Sequence, residues 1–468
     1  MEASNIDELG SLEEVVKPKS TVLGASLNFV NSIVGTGIVS IPYAFQKCGF
    51  LPGIILLILV ATMIYHGVIM LIDCGIYFDI YNLEELSEHT MGKYGYYLSV
   101  ASMLIFAFGA QVAYLVVIGD TVPMIIQVLL PEYSTSAFTS RTSIICAVST
   151  LIILPLSLLK HISSLSRVAF FSIMAVSLLV ILVVFHSPLE AQHQHIPPIE
   201  FDDYIFLRKT VFGGIGTLSF TFVCQHNSFI IFRSLNEPTV RSWKSVAFSS
   251  ISMACLLCLI LGVGGYLSFL DQSQGNILNN FGITDYTVSF ARLFLAINMM
   301  LTYPQEGIVS RHSFLSLFHR ICSSHRHLIA YLHDQLSTES TPLLERSRNS
   351  SCASPPFSSV LSDMISIPED ANESTLRVPM TVLLWLASVL IAVYFEDVGV
   401  VLEVTGTIAG SMIGYVIPSA IYIARWSQGK DSSEHWSSIL FPGFMLGFGI
   451  LSLLAGMLTV IVTDILLA

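Results

Sequence analysis

Residues 28–45 read Asn28-Phe-Val-Asn-Ser-Ile-Val-Gly-Thr-Gly-Ile-Val-Ser-Ile-Pro-Tyr-Ala-Phe45, an apolar, membrane-length run interrupted at its middle by Val34-Gly35-Thr36-Gly37. A helix broken at bilayer depth leaves backbone N–H and C=O groups without partners. Hydrocarbon tolerates that only where the freed groups face a cavity or a bound solute. Secondary transporters built from inverted repeats carry such a break in each half of the chain. A second interruption is expected in the later half, around Phe212-Gly213-Gly214-Ile215-Gly216.

Composition agrees with a life in lipid. Of 468 residues 53% are apolar and 12% charged, with mean hydropathy +0.72, whereas a soluble domain carries roughly a quarter charged residues. The net charge of −12 speaks against a nucleic-acid partner, which calls for clustered Lys and Arg. The first twenty residues are acidic and polar without a basic, apolar leader pattern, so no cleavable signal peptide is expected. Eight cysteines fall mostly in apolar or cytosolic segments, and Cys255 and Cys258 share one apolar helix. That setting predicts packing rather than a disulfide framework or a zinc pair. No nucleophile–base spacing, zinc triad or phosphate loop is visible, so an enzyme is not expected.

Apolar stretches of about 20 residues centre near Val34, Leu59, Phe108, Leu151, Ala175, Phe220, Leu257, Ala296, Leu386, Ile413 and Leu451. The expected fold class is therefore an all-α membrane protein with eleven transmembrane helices. An inside N-terminus leaves only Lys47, Arg141, Arg208 and Lys209 of the 21 basic residues outside, with Arg292 within a span. This satisfies the positive-inside rule and places the C-terminus outside or in a lumen. The expected organisation is a cytosolic acidic tail, 1–20, followed by a first five-helix repeat, 21–190. The second repeat opens over 205–310 and resumes with helices 9 and 10 over 377–425; an eleventh helix, 438–468, follows. Between the parts of the second repeat lies a Ser-, Thr- and Pro-rich cytosolic insert, 311–376, expected to be disordered after a short amphipathic start. Its two sequons, Asn349-Ser-Ser351 and Asn372-Glu-Ser374, would then escape glycosylation. Five being odd, the two repeats lie inverted across the membrane.

The run Asn31 to Phe45 with Lys47-Cys-Gly-Phe50 resembles the first-helix signature of the amino acid/auxin permease superfamily. Within it, the likeness is to solute carrier family 38, the sodium-coupled neutral amino acid transporters. Phe220-Thr-Phe-Val-Cys-Gln-His-Asn-Ser-Phe229 with Leu235-Asn-Glu-Pro-Thr239 matches as well. So do Gly264-Gly-Tyr-Leu-Ser-Phe269 with Gln274-Gly-Asn-Ile-Leu278, and Leu301-Thr-Tyr-Pro304. The resemblance implies a LeuT-like 5+5 inverted repeat plus one extra helix, with a neutral amino acid held between the two broken helices. The N–H groups and positive helix end at Gly35, Thr36 and Gly37 suit its carboxylate. Carbonyls near Gly213, Gly216 and Thr217 would receive the ammonium, with Phe220 and Thr221 shaping the side-chain space. By the same resemblance Na⁺ is a co-transported ion rather than a resident cofactor, held by carbonyls of Ile33 and Val34, the Asn31 amide oxygen and the Thr302 hydroxyl. Coupling to H⁺ instead of Na⁺ is the alternative.

Several residues carry two readings. Asn31 reads as a contact between helices or as a ligand, and its place one turn before the break favours the ligand. His226 reads as an interfacial hydrogen-bonding group or as a proton carrier. Arg292, costly inside a membrane, should face water or pair with Asp120, Asp285 or Glu306. Glu403 and Asp73 read as snorkelling or gating groups, and His193 and His195 as solvated. Glu339-Ser-Thr-Pro-Leu343-Leu344 resembles an acidic dileucine signal for sorting adaptors, leaving plasma membrane and endosome or lysosome both open. A rival to transport is an amino acid sensor that signals through the insert.

Overall fold

The computed structural model describes residues 20–133, 139–159, 165–196, 206–283, 285–339, 369–428 and 435–462. Leu343, Leu344, the first sequon's Asn349 and residues 463–468 lie outside these; the second sequon's Asn372 falls at the start of a described helix. Every regular element described is helical. In chain order these are α1 (Val22–Ile33), α2 (Ile41–Cys48), α3 (Phe50–Phe78) and α4 (Leu83–Leu129). Then come α5 (Arg141–Val148), α6 (Leu154–Leu158), α7 (Leu165–His193), α8 (Val211–Phe222), α9 (Gln225–Ser234) and α10 (Val240–Phe269). The last are α11 (Tyr286–Glu339), α12 (Glu369–Tyr394), α13 (Val398–Thr405), α14 (Ile417–Gln428) and α15 (His435–Val460).

Among the described residues nine helical stretches are long and apolar enough to cross a membrane, and α1 with the helix after it makes a tenth, bent by 51°. The helix bearing the eighth expected span, α11, falls outside that set because Arg292, Asn298, Gln305 and Glu306 interrupt its apolar run. Eleven spans are thus an upper reading of the sequence. Helix α11 also continues through Arg311 to Glu339, over the first part of the insert expected at 311–376.

Short polar caps set several helix starts. Thr21 accepts from the Gly24 N–H, Asn82 from Glu84 and Thr239 from Ser242, each satisfying a donor the helix leaves free. Helices α4 and α11 pack along each other, as do α1 and α10, and α2 and α8. Trp243, fully buried, stacks near Phe29 at 5.2 Å and donates its indole N–H to the Val68 carbonyl at 3.1 Å. Cys255 and Cys258 are both free thiols, the latter buried.

The two broken helices run side by side and antiparallel over their whole length. Ser20 N–H donates to the Ser234 carbonyl (2.7 Å), Gly37 abuts Thr221, Gly214 abuts Ala44 and Cys48, and Arg208 N–H donates to the Cys48 carbonyl (3.2 Å). As one number rises the other falls. This is the relation between corresponding helices of inverted repeats.

Candidate functional site

The first break lies where the sequence placed it. α1 ends at Ile33; Val34 (φ −90°, ψ 78°) and Gly35 (φ −102°, ψ −138°) leave helical geometry, and a tight turn of helix over Thr36–Ser40 leads into α2. Gly35 N–H donates to the Ile33 carbonyl at 3.1 Å, and the Thr36 hydroxyl is buried without a hydrogen-bond partner.

The second break does not lie at Phe212–Gly216. Those residues belong to continuous α8, and the chain leaves helical geometry at Val223 (ψ 120°) and Cys224 (φ −143°, ψ 6°). The glycines are there for packing. A Cβ on Gly213 would fall 1.9 Å from Glu403 Oε1, and one on Gly216 would fall 2.4 Å from Thr407 Oγ1. The Gly216 carbonyl itself crosses Gly406 so closely that a Cβ there would sit 1.9 Å from it. Small residues permit this approach of two membrane helices. The carbonyls expected to be free are also in use, since Thr217 Oγ1 donates to Gly213 O (3.4 Å) and Thr221 Oγ1 to Thr217 O (2.9 Å).

At the true break Gln225 supplies what the helix lost. Its Oε1 accepts from the Cys224 N–H at 3.0 Å while its Nε2 donates to the Gly414 carbonyl at 3.4 Å, tying the break to a wide-turn segment, Met412–Val416. Replacing Gln225 with Leu strands a buried N–H, at a cost of about 1–3 kcal/mol. The Gln225→Leu variant should therefore melt at a lower temperature in detergent than wild type, and an unchanged melting curve would refute this role.

Between the breaks the chains touch at Gly37 and Thr221, and one side of α1 opens on a cavity of about 330 Å³. Asn28, Asn31, Gly35, Tyr114, Asn227 and Thr302 line it, together with Gln305 and Glu306, and its wall runs out to Ser20 and Ser234 at one end of the bundle. Of the expected cation residues, Asn31 and Thr302 both face this space. Asn31 Oδ1 is buried without a partner, and Thr302 donates to the Asn298 carbonyl (2.8 Å), leaving its lone pairs free. Ile33 and Val34 flank it in the break. Of the expected substrate residues, Gly35 lines the cavity, Thr36, Gly37 and Thr221 lie at the point of contact, and Phe220 stacks against Phe106 at 5.0 Å. Gly213 and Gly216 stand apart from it, and Thr217 is fully buried on α8.

The opposite end is covered by residues 270–281. Ser40 donates to the Gly275 carbonyl, Gln46 to the Asp271 carbonyl, and Arg208 pairs with Asp271. Arg292, with no exposed surface, binds no carboxylate among the described residues. It donates to the carbonyls of Leu278 (2.9 Å), Phe281 (2.9 Å) and Gly282 (3.3 Å) and so holds that cover in place. Asp120 pairs with Arg141 instead, at 3.3 Å. Glu403 lies near the start of the stretch Val398–Ser427 but does not snorkel to water: it is fully buried and pairs with Lys47 at 3.3 Å. Asp73 pairs with Arg425, and His193 and His195 are exposed.

Glu306 was missed as a site residue. It follows Thr302 by four residues, the spacing that puts two side chains on one helix face, and that spacing was available in the sequence.

A helical bundle with two interrupted helices meeting beside a polar cavity defines a multi-pass membrane transporter rather than an enzyme. The chain belongs to the transmembrane amino acid transporter protein family, whose model matches residues 18–463. A Rattus norvegicus protein named as sodium-coupled neutral amino acid transporter 11, a function its name marks as provisional, is 28% identical over 425 residues, 91% of this chain and 82% of its own. Vacuolar amino acid transporter 2 of Saccharomyces cerevisiae is 30% identical over 311 residues, 64% of this chain and 63% of its own. Among solved structures, a manganese transporter of Eremococcus coleocola superposes with TM-score 0.42 at 11% identity, covering 93% of this chain and 94% of that one. The family resemblance drawn from the helix signatures is borne out.

Proposed function

We propose that the protein is a secondary active transporter of small neutral amino acids, coupled to Na⁺ and working by alternating access around the two breaks. The observation that carries this reading is the meeting of both interrupted helices at Gly37 and Thr221 beside a cavity lined with unpartnered oxygen. The amino acid carboxylate binds at the N-terminal end of the helix that restarts at Thr36, where free N–H groups and the helix dipole favour an anion. The ammonium binds near the second break, at Val223 and Cys224 rather than at Gly213 and Gly216. Na⁺, a hard cation, takes Asn31 Oδ1, the Thr302 hydroxyl and the carbonyls at Ile33 and Val34.

The charge rule makes the Ser20 and Ser234 end cytosolic, so the cavity opens inward while residues 270–281 close the other side. A zwitterion moving with one Na⁺ carries one net charge, which a membrane potential drives with about 2.3 kcal/mol per 100 mV. The membrane is the plasma membrane or, if the segment from Glu339 to Leu344 recruits adaptors, an endosomal or lysosomal one.

Purified protein in liposomes, given a panel of amino acids with Na⁺ or choline outside, should take up small neutral ones and do so faster with Na⁺. Absence of flux for every amino acid under every ion gradient would overturn transport altogether. Asn31→Ala and Thr302→Ala should each raise the Na⁺ concentration needed for half-maximal uptake. Wild-type Na⁺ dependence in both variants would remove the cation assignment.

A further inference from the structure

We propose that the outer face carries a second ligand site, a cavity between the 270–281 cover and the start of α13 that binds a small organic cation bearing primary ammonium groups and thereby holds the cover shut. Binding is a property of this cavity alone. Its effect on the cover rests on the alternating-access reading above.

The cavity has a volume of about 410 Å³ and shares no lining residue with the space around Asn31 and Thr302. Asp271 and Ser273 reach it from the cover, Gln46 from α2, Asp120 from α4, and Glu396 and Asp397 from the turn before α13. All of these but Ser273 and Gln46 are acids, and among the described residues none of the lining is Lys, Arg or His. Arg141 pairs with Asp120 and Arg208 with Asp271 from outside the wall, whereas Glu396 has no ion pair among the described residues. Unmatched oxygen points the same way. Ser273 is 4% exposed and its Oγ has no hydrogen-bond partner; Gln46 Oε1 and Asn279 Oδ1, also in the lining, are buried and unpartnered. The nitrogens of both amides are engaged, Gln46 Nε2 on the Asp271 carbonyl and Asn279 Nδ2 on Asp120 at 3.3 Å. Turning either amide over would set oxygen against oxygen.

Buried acceptors without donors, set beside carboxylates, call for a ligand made of donors, because an unmatched polar atom costs stability until a partner meets it. A primary ammonium brings three N–H donors and a positive charge, the complement of this wall. A metal ion suits it less. Among the described residues no three Asp, Glu, His or Cys come close enough to hold one ion, so the negative charge is spread around the cavity rather than gathered at a point. Spread charge fits an extended cation with ammonium groups at separate ends. A neutral amino acid is disfavoured by its own carboxylate, which Glu396 and its acidic neighbours repel. The cavity also exists only while the cover is down. Its walls are the cover on one side and α2, α4 and α13 on the other; Gln46 on Asp271 and Gly399 against Gly275 are contacts across that division. Opening the outer side parts those walls and dismantles the site. A ligand that binds one of two states shifts the population toward it, so the cation traps the form whose inner cavity is open.

The probe is putrescine, a diamine, with butanediol as its uncharged analogue and Ca²⁺ as the metal control, all on the full chain. In detergent, putrescine should raise the melting temperature in a saturable way, and butanediol should not. In liposomes, putrescine added outside should lower the maximal rate of amino acid uptake, and more amino acid should not relieve the loss. Glu396→Gln should raise the putrescine concentration needed for either effect about tenfold, the worth of one hydrogen bond to a charged group, and leave uptake without putrescine near wild type. Ser273→Ala should act in the same direction, and it serves if Glu396→Gln does not fold. The proposal is overturned if putrescine gives no melting shift, if butanediol matches it, or if both variants keep the wild-type response. Ca²⁺ acting at lower concentration than putrescine, and losing its effect in Glu396→Gln, would make this a metal site and overturn the ligand class. Inhibition that excess amino acid relieves would place putrescine in the inner cavity and overturn the proposal as well. If wild type moves no amino acid under any gradient, the transport reading has failed, while the melting shift still decides the site.

Discussion

Gly37→Ala should reduce amino acid uptake to background while leaving the protein expressed and inserted. The reason is the closeness of the two broken helices at that point. A Cβ on residue 37 would sit 2.4 Å from Thr221 Oγ1 and, more seriously, 2.7 Å from Thr221 Cα. A hydroxyl can rotate away, but a Cα cannot, so the two helices must separate at the seam where the solute is proposed to lie. Overpacking of this kind costs about 1–3 kcal/mol, which a membrane bundle survives. The larger loss is in function, since misplacing binding groups by about 1 Å can cost two orders of magnitude in rate. Gly35 provides the internal comparison. A Cβ there meets the Tyr114 hydroxyl at 3.5 Å, an ordinary contact, so Gly35→Ala should lose less uptake than Gly37→Ala. Surface labelling of both variants beside uptake checks the order; equal losses, or a milder loss at Gly37, would count against the contact.

The unequal legibility of the two breaks has a physical cause. Gly35-Thr36-Gly37 sits in an apolar run with Asn31 one turn earlier, and there glycine and polar side chains point to one place. In α8 glycine served the opposite purpose. Gly213 and Gly216 let Glu403, Thr407 and Gly406 approach an unbroken helix, and only the partner helix, distant in sequence, distinguishes close packing from unwinding. The true break is marked by Gln225-His226-Asn227, polar residues within an apolar segment. Gln225 alone satisfies the freed N–H, so this break needs no glycine.

Charged residues were misread for a related reason. Arg292 was expected to face water or pair with an acid, yet its NH1 and NH2 groups donate to backbone carbonyls in and just after a short helical turn, Ile277–Asn280. Sequence shows which acids exist, but not which carbonyls a loop leaves free. The antiparallel pairing of the broken helices, by contrast, followed from an odd number of apolar segments per repeat. That property survives uncertainty in every helix boundary.

Lys47→Met should be the most destabilising single change in the half of the bundle opposite the cavity mouth. Glu403 has no exposed surface, and Lys47, 14% exposed at its side chain, lies 3.3 Å away. The pair joins α2 to α13 across the face of Gly213, where glycine leaves room for the carboxylate. A buried ion pair adds little over a well-packed apolar pair, but removing one partner leaves a charge in low dielectric and costs about 3–5 kcal/mol. Lys47→Met should therefore lower the thermal midpoint of the purified protein sharply. Lys47→Met combined with Glu403→Gln should recover much of that loss, because the second change removes the charge the first one stranded. A double variant no more stable than Lys47→Met would mean that the cost lies in packing rather than in the buried charge. The pair lies beneath the cover formed by residues 270–281, which Gln46, next to Lys47, holds through the Asp271 carbonyl and against which Gly399 of α13 packs at Gly275. Opening that side during transport must therefore move the pair as one unit or separate it. Uptake by the double variant distinguishes these, since separation of the ions would make the neutral pair open more readily and transport faster, whereas movement as a unit would leave the rate near that of wild type.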